Sequence, residues 1–167
     1  ELYERARKIQ DHGRKPGTFW IEEIGHKYKM NNITAALGLA QLQRARWQIE
    51  KKREIYHWYR NELSNIEVIS FQKESTLSRS ICWMTSFTLT PDLVVNRDDL
   101  MARLRLKKID SRPVFPAISQ YAIWNYKPKL QPNAHAIGQN GINLPSGVLL
   151  SKKEVQRVAS VIKDVLS

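Results

Sequence analysis

The sequence predicts an α+β fold, a small sheet covered by helices and preceded by one long helix. Three observations carry that expectation. Residues 31 to 63 hold Ala35, Leu39, Leu42, Ala45, Ile49, Tyr56, Tyr59 and Leu63 at steps of three, four or seven, which is helical spacing. Runs rich in Ile, Val, Phe, Trp and Thr follow at 66–71 and 82–90, as strands require. Helical and extended stretches then alternate to the end of the chain, the pattern of a sheet with helices packed on it.

In chain order, residues 1 to 11 read as a helix stopped by Gly13, with His12 in a C-cap role and a loop around Pro16 and Gly17 after it. Asn31 or Asn32 caps the long helix. Arg44, Arg46, Glu50, Lys51, Lys52, Arg53 and Glu54 form its outer, solvated face. Strands are expected at Ile66 to Phe71 and at Cys82 to Thr90, the second ended by Pro91-Asp92. Asn96 caps a helix from Arg97 to Lys107 with Leu100 and Leu104 on one face, and Ile109 to Phe115 reads as a third strand ended by Pro116. The stretch from Pro128 to Gly141 is loop and short helix, and Ile142 to Pro145 is extended. Ser151-Lys152-Lys153-Glu154 is a capping box, opening a last helix with the stripe Val155, Val158, Ile162 and Val165.

The chain has 167 residues, 27 Lys+Arg against 16 Asp+Glu and a formal charge of +11. With one cysteine, Cys82, an internal disulfide framework is excluded and a reduced, cytoplasmic protein is expected. Apolar runs are too short for a membrane span or a signal peptide. Glu1 is no initiator Met and no cap precedes Leu2, so the expectation is a piece of something longer. The positive charge gathers at both ends, and no carboxylate stands between Asp110 and Glu154 while Arg112, Lys127 and Lys129 do. A pocket built there favours an anion. The basic residues lack the aromatic interleaving of nucleic-acid readers, so nucleic acid is an unlikely partner by pattern.

Catalytic signatures of the common kinds are absent: no glycine-rich phosphate loop, no HExxH, no Gly-x-Ser-x-Gly. His12, His26, His57 and His135 are scattered without a ligand-spaced acid or cysteine, so no metal site is expected and each reads as a surface or cap residue.

Specific words go further. Ile24 to Leu42, IGHKYKMNNITAALGLAQL, closely resembles the signature of the DegT/DnrJ/EryC1/StrS sugar aminotransferases. Three more stretches resemble that family in order: Arg7 to Gly13, its segment ending in His-Gly; Ile109 to Pro116, IDSRPVFP, most like the perosamine-making branch; and Asn143 to Gly147, NLPSG, with Ser151 to Val155 after it.

The resemblance implies the C-terminal part of a fold-type-I enzyme dependent on pyridoxal 5′-phosphate (PLP), acting as a homodimer whose active site is shared between subunits. Residues 1–30 would end the large domain, and 31–167 would be the connecting helix and a small domain with a mostly antiparallel sheet covered by helices. The implied reaction moves an amino group from glutamate to a nucleotide-linked keto-deoxysugar, a perosamine-type 4-amination for O-antigen, lipopolysaccharide or another surface glycan. The family's Schiff-base lysine lies upstream, so no catalytic residue is expected here and this chain alone would be inactive. Lys27 stands where the family's Asn reaches the PLP phosphate, and Lys29 where its Arg meets substrate or cofactor. Arg112 matches the strand arginine, for the sugar diphosphate or the donor carboxylate. Ser119 falls where many members have a His, with Tyr121 after it, both as substrate contacts. Gly25 would allow a backbone turn before the long helix, and Trp20, Tyr28 and Trp47 would pack on the large domain or the partner subunit. The alternative is a non-enzymatic basic module for nucleic acid or another anionic partner, which steep salt dependence of binding would mark.

Overall fold

The computed structural model describes residues 1–91, 93–124 and 131–167. Asp92, Lys127, Pro128 and Lys129 lie outside the described residues. The chain divides into two compact units, Glu1–Ala45 and Arg46–Ser167, and the division falls inside the long helix.

In the first unit, helix α1 (Leu2–Gln10) ends on Asp11 as its C-cap, with His12 and Gly13 both at positive φ. Residues 12–29 fold back onto α1 by backbone hydrogen bonds: His26 N–H donates to the Ile9 carbonyl at 2.7 Å and Tyr28 N–H to that of Gln10 at 3.0 Å. Two glycines make this approach possible. A Cβ on Gly25 would meet the Gly13 nitrogen at 2.1 Å, and one on Gly13 would meet the Glu23 oxygen at 1.9 Å. Gly25 thus serves close contact between backbones rather than the turn expected of it, for its φ is not left-handed. Lys8 adds ion pairs to Glu22 and Glu23, at 2.7 and 3.3 Å. Helix α2 (Asn32–Leu63) follows, and the Asn31 side chain caps it by accepting from Thr34 N–H at 2.8 Å.

The second unit is a four-stranded sheet under helices. Strands β1 (Ile69–Phe71), β2 (Thr85–Leu89), β3 (Arg112–Pro113) and β4 (Gly141–Leu144) stand in the order β1-β2-β4-β3, every pair antiparallel. Helices α3 (Arg97–Leu106), α4 (Pro132–Asn140) and α5 (Lys152–Leu166) complete it, with short 3-10 turns at Ile118–Gln120 and Ala122–Trp124. Ile55, Tyr59 and Leu63 of α2, Leu100 and Leu104 of α3, and Val155, Val158 and Ile162 of α5 pack against Ile69, Phe87, Leu89, Ile142 and Leu144 of the strands in one buried cluster. The α3 and α5 caps form as expected: Asn96 and Ser151 accept from backbone N–H groups, and Asp99 and Glu154 return the bond.

The expected strands are each shorter than their β-rich runs. Ile66 and Ile69 N–H groups bond back to Leu63 and Ile66 carbonyls, so a turn takes 66–68. Cys82 stands before β2 at φ +50° and is buried. Of the third run, Arg112 and Pro113 pair with β4, and Val114 N–H adds a bond to the Gly141 carbonyl at 2.9 Å.

Candidate functional site

The site expectations fall on both units. In the first, Lys27 is exposed and its backbone bridges to Asp11. Lys29 Nζ donates to Asp11 Oδ2 at 2.6 Å. That bond, with the lysine charge behind it, holds the Asp11 carboxyl below its ordinary range. The Lys27 ammonium makes no ion pair among the described residues, whereas the charge of Lys29 is already answered. His26 and Tyr28 stack at 5.0 Å between ring centres.

In the second unit, the sequence Asn143-Leu144-Pro145-Ser146 forms a knot at the end of β4. Asn143 Nδ2 donates to the Pro113 carbonyl at 3.0 Å, and Ser86 Oγ donates to Asn143 Oδ1 at 2.5 Å. Thr85 N–H donates to Ser146 Oγ, which in turn donates to the Leu144 carbonyl, both at 2.8 Å. Tyr59 Oη reaches the Pro145 carbonyl at 3.1 Å, and burial raises this phenol well above the usual tyrosine range. These bonds tie the turn to β2, β3 and α2, while the buried Thr85 Oγ1 beside them has no hydrogen-bond partner among the described residues.

Beside this knot lies a cleft of about 290 Å³, with Lys52, Trp83, Ser111, Arg112, Asn143 and Ser146 among its lining residues. Arg112 is exposed, its Nε 3.7 Å from Asp110 Oδ2. Lys52 departs from the solvated face expected of it. Its ammonium donates to the Trp83 carbonyl at 2.8 Å and to the Ser146 carbonyl at 2.6 Å, and burial lowers its pKa from the ordinary lysine value. Arg53 departs likewise. It pairs with both oxygens of Glu74 at 2.6 and 3.1 Å and with the Ser80 carbonyl, while Ser80 N–H donates to Glu74 Oε1 at 2.6 Å. The arginine and then the Ser80 amide hold the Glu74 carboxyl down at about 2.

Ser119 is buried in the turn after β3, and its Oγ lies 2.8 Å from His135 Nε2 on α4. Tyr121 follows it, half exposed. The structure thus gathers Arg112 with Lys52 and Trp83 in one cleft, and Ser119 with His135 elsewhere in the same unit. Reading the sequence missed Lys52, Trp83 and the pairing of His135. A lysine in a charged helix run and a histidine 16 positions from its serine give no local signal.

A family model described as the DegT/DnrJ/EryC1/StrS aminotransferase family matches residues 1–163. GDP-perosamine synthase of Escherichia coli O157:H7 is 34% identical over 99% of this chain and 45% of its own length. A Bacillus subtilis (strain 168) protein, EpsN, whose name places it among pyridoxal phosphate-dependent aminotransferases, is 31% identical over 95% of this chain and 42% of its own. The crystal structure of the aminotransferase TlmJ from Streptoalloteichus hindustanus superposes with a TM-score of 0.86 at 21% identity, over 99% of this chain and 45% of that one. The chain spans less than half the length of each.

Proposed function

The chain belongs to the DegT/DnrJ/EryC1/StrS aminotransferase family, and we propose that the whole protein transfers an amino group from glutamate to the keto carbon of a nucleotide-linked deoxysugar. The perosamine-type 4-amination is the form favoured, in service of an O-antigen or other surface polysaccharide. One observation carries this reading: the 34% identity to GDP-perosamine synthase runs along 99% of the chain. In this reading residues 1–30 close the large domain, residues 31–167 are the connecting helix and small domain, and the protein is a cytoplasmic homodimer with a site shared between subunits. Phe19, Trp20, Ile24 and Tyr28, all at least 72% exposed, support a covering surface from outside the chain.

PLP is the cofactor of this family, and when bound it supplies an electron sink at the carbon that carries the transferred nitrogen. The residues present fit its phosphate end. Lys27 offers an exposed ammonium that makes no ion pair among the described residues, a point charge suited to phosphate. Arg112 would take the sugar diphosphate or the donor carboxylate, and Lys29, Ser119 and Tyr121 would contact substrate. In this reading the family's Schiff-base lysine is not among these 167 residues, and the chain assayed alone should transfer no amino group. The intact protein should absorb near the visible, lose that band with glutamate and regain it with a 4-keto sugar nucleotide, while Lys27→Ala should weaken cofactor retention. A colourless intact protein overturns the reading.

A further inference from the structure

The chain leaves α3 through Arg103-Leu104-Arg105-Leu106-Lys107-Lys108, a run of cations and leucines with no carboxylate. Three- and four-residue steps place Arg103, Leu106 and Lys107 on one face. Helix α5 begins beside them, for Arg157 Nη2 donates to the Lys107 carbonyl at 2.7 Å, and Lys153 stands one turn before Arg157. Arg103, Lys107, Lys153 and Arg157 are all exposed, and none makes an ion pair among the described residues. The neighbouring carboxylates are engaged elsewhere. Glu154 accepts from the Ser151 N–H and Oγ at 2.8 and 2.7 Å, and Asp110 lies 3.7 Å from Arg112 Nε.

Local stability does not account for this arrangement. Cations at the end of α3 suit the negative end of its dipole, but Lys152 and Lys153 open α5 at the positive end, where a cation is disfavoured. Arg103 with Lys107, and Lys153 with Arg157, are like charges four apart on a helix, which also opposes folding. Positive charge held against these costs suits an anionic partner. Leu106, 84% exposed, stands within the cluster. A phosphate backbone makes no use of a leucine, and the cluster holds no aromatic face on which a base could stack. Cations around an exposed leucine match an interfacial surface, in which the charges meet anionic headgroups and the apolar side chain enters the layer beneath. Among the described residues no helix is long and apolar enough to cross a membrane, so the contact is peripheral.

We propose that the end of α3 and the start of α5 bind the surface of a bilayer rich in anionic lipid, with Arg103, Lys107, Lys153 and Arg157 on the headgroups and Leu106 among them. The proposal stands apart from the amino-transfer reading, since none of these residues is given a part in that reaction.

Sedimentation of the intact protein with vesicles tests it. The protein should bind vesicles of phosphatidylglycerol and phosphatidylcholine in equal parts, fail to bind phosphatidylcholine alone, and be released as salt rises. Lys107→Gln and Lys153→Gln should each weaken binding about fivefold, and Leu106→Ala roughly fourfold, as for one buried methylene. All three side chains are exposed, so the melting temperature and amino transfer in solution should match wild type. Lys73→Gln makes the same charge change on another exposed segment and should leave binding unchanged. Absence of binding to the anionic vesicles overturns the proposal. An equal loss in Lys73→Gln overturns it too, by tracing the binding to net charge alone. Tight binding of duplex DNA, with vesicle binding unaffected by Leu106→Ala, overturns it in favour of nucleic acid.

Discussion

Along α2, Ile33, Leu37, Leu39 and Leu42 stand 59 to 76% exposed, whereas Ile55, Tyr56, Tyr59 and Leu63 of the same helix are at most 7% exposed. The two halves carry the same apolar rhythm. In the second unit that rhythm meets α3, α5 and the sheet and becomes a core; in the first unit the same kind of stripe is left uncovered. The contrast teaches that helical periodicity reports a face that expects cover, without stating whether the cover lies in the same chain. Ile33 and Leu37 lie on one side of the helix and Leu39 and Leu42 on another, and exposed apolar surface of this kind marks interaction, in keeping with a chain that spans 45% of the length of its E. coli relative.

Paired truncations on the two halves would break this comparison if it is wrong. Leu63→Ala removes a fully buried side chain and should cost about 2–5 kcal/mol. Leu42→Ala, 71% exposed, should change stability by no more than about 0.5 kcal/mol. Urea unfolding followed by circular dichroism reads both, and equal costs would mean that the first half is covered within the chain. A smaller effect of opposite sign sharpens the picture of the covered core. Thr85 is fully buried and its Oγ1 has no hydrogen-bond partner among the described residues, so Thr85→Val should stabilise by about 1 kcal/mol. A loss in the same urea titration would show the hydroxyl to be bonded.

The smallest effect concerns the polar side of the covered half, where Arg53 holds Glu74. The folded carboxyl sits near 2 against an unfolded glutamate near 4.3. A depressed acid stabilises the fold above its unfolded value and loses that contribution as pH falls through its folded one. Glu74→Gln should therefore be less stable than wild type at pH 7, with the difference closing between pH values of about 4.3 and 2. A gap that stays constant down to pH 2 would show that the charge of Glu74 contributes nothing.

Much of the fold was legible because its signals are local. The Ser151-to-Glu154 capping box, the Asn96 cap and the Leu100/Leu104 and Val155/Val158/Ile162 stripes formed as read. Strand ends were less legible, since pairing decides them: Ile109 to Phe115 was read as one strand, yet the paired stretch is Arg112 and Pro113, with one further bond from Val114 N–H to the Gly141 carbonyl. The candidate site divides in the same way. The motif around Arg112 could be read in order, but Lys52 and Arg53 were indistinguishable from their charged neighbours in α2, and His135 showed no link to Ser119.

By itself the sequence determined the α+β class, the helix caps and the family, because each depends on residues within a few positions of one another or on an ordered set of words. Tertiary structure alone decided which half of α2 is buried, which lysine loses its water and which aromatic lines the cleft. Those outcomes depend on groups distant in the chain: Lys52 meets carbonyls 31 and 94 positions away. Desolvation and hydrogen-bond geometry are set where such segments meet.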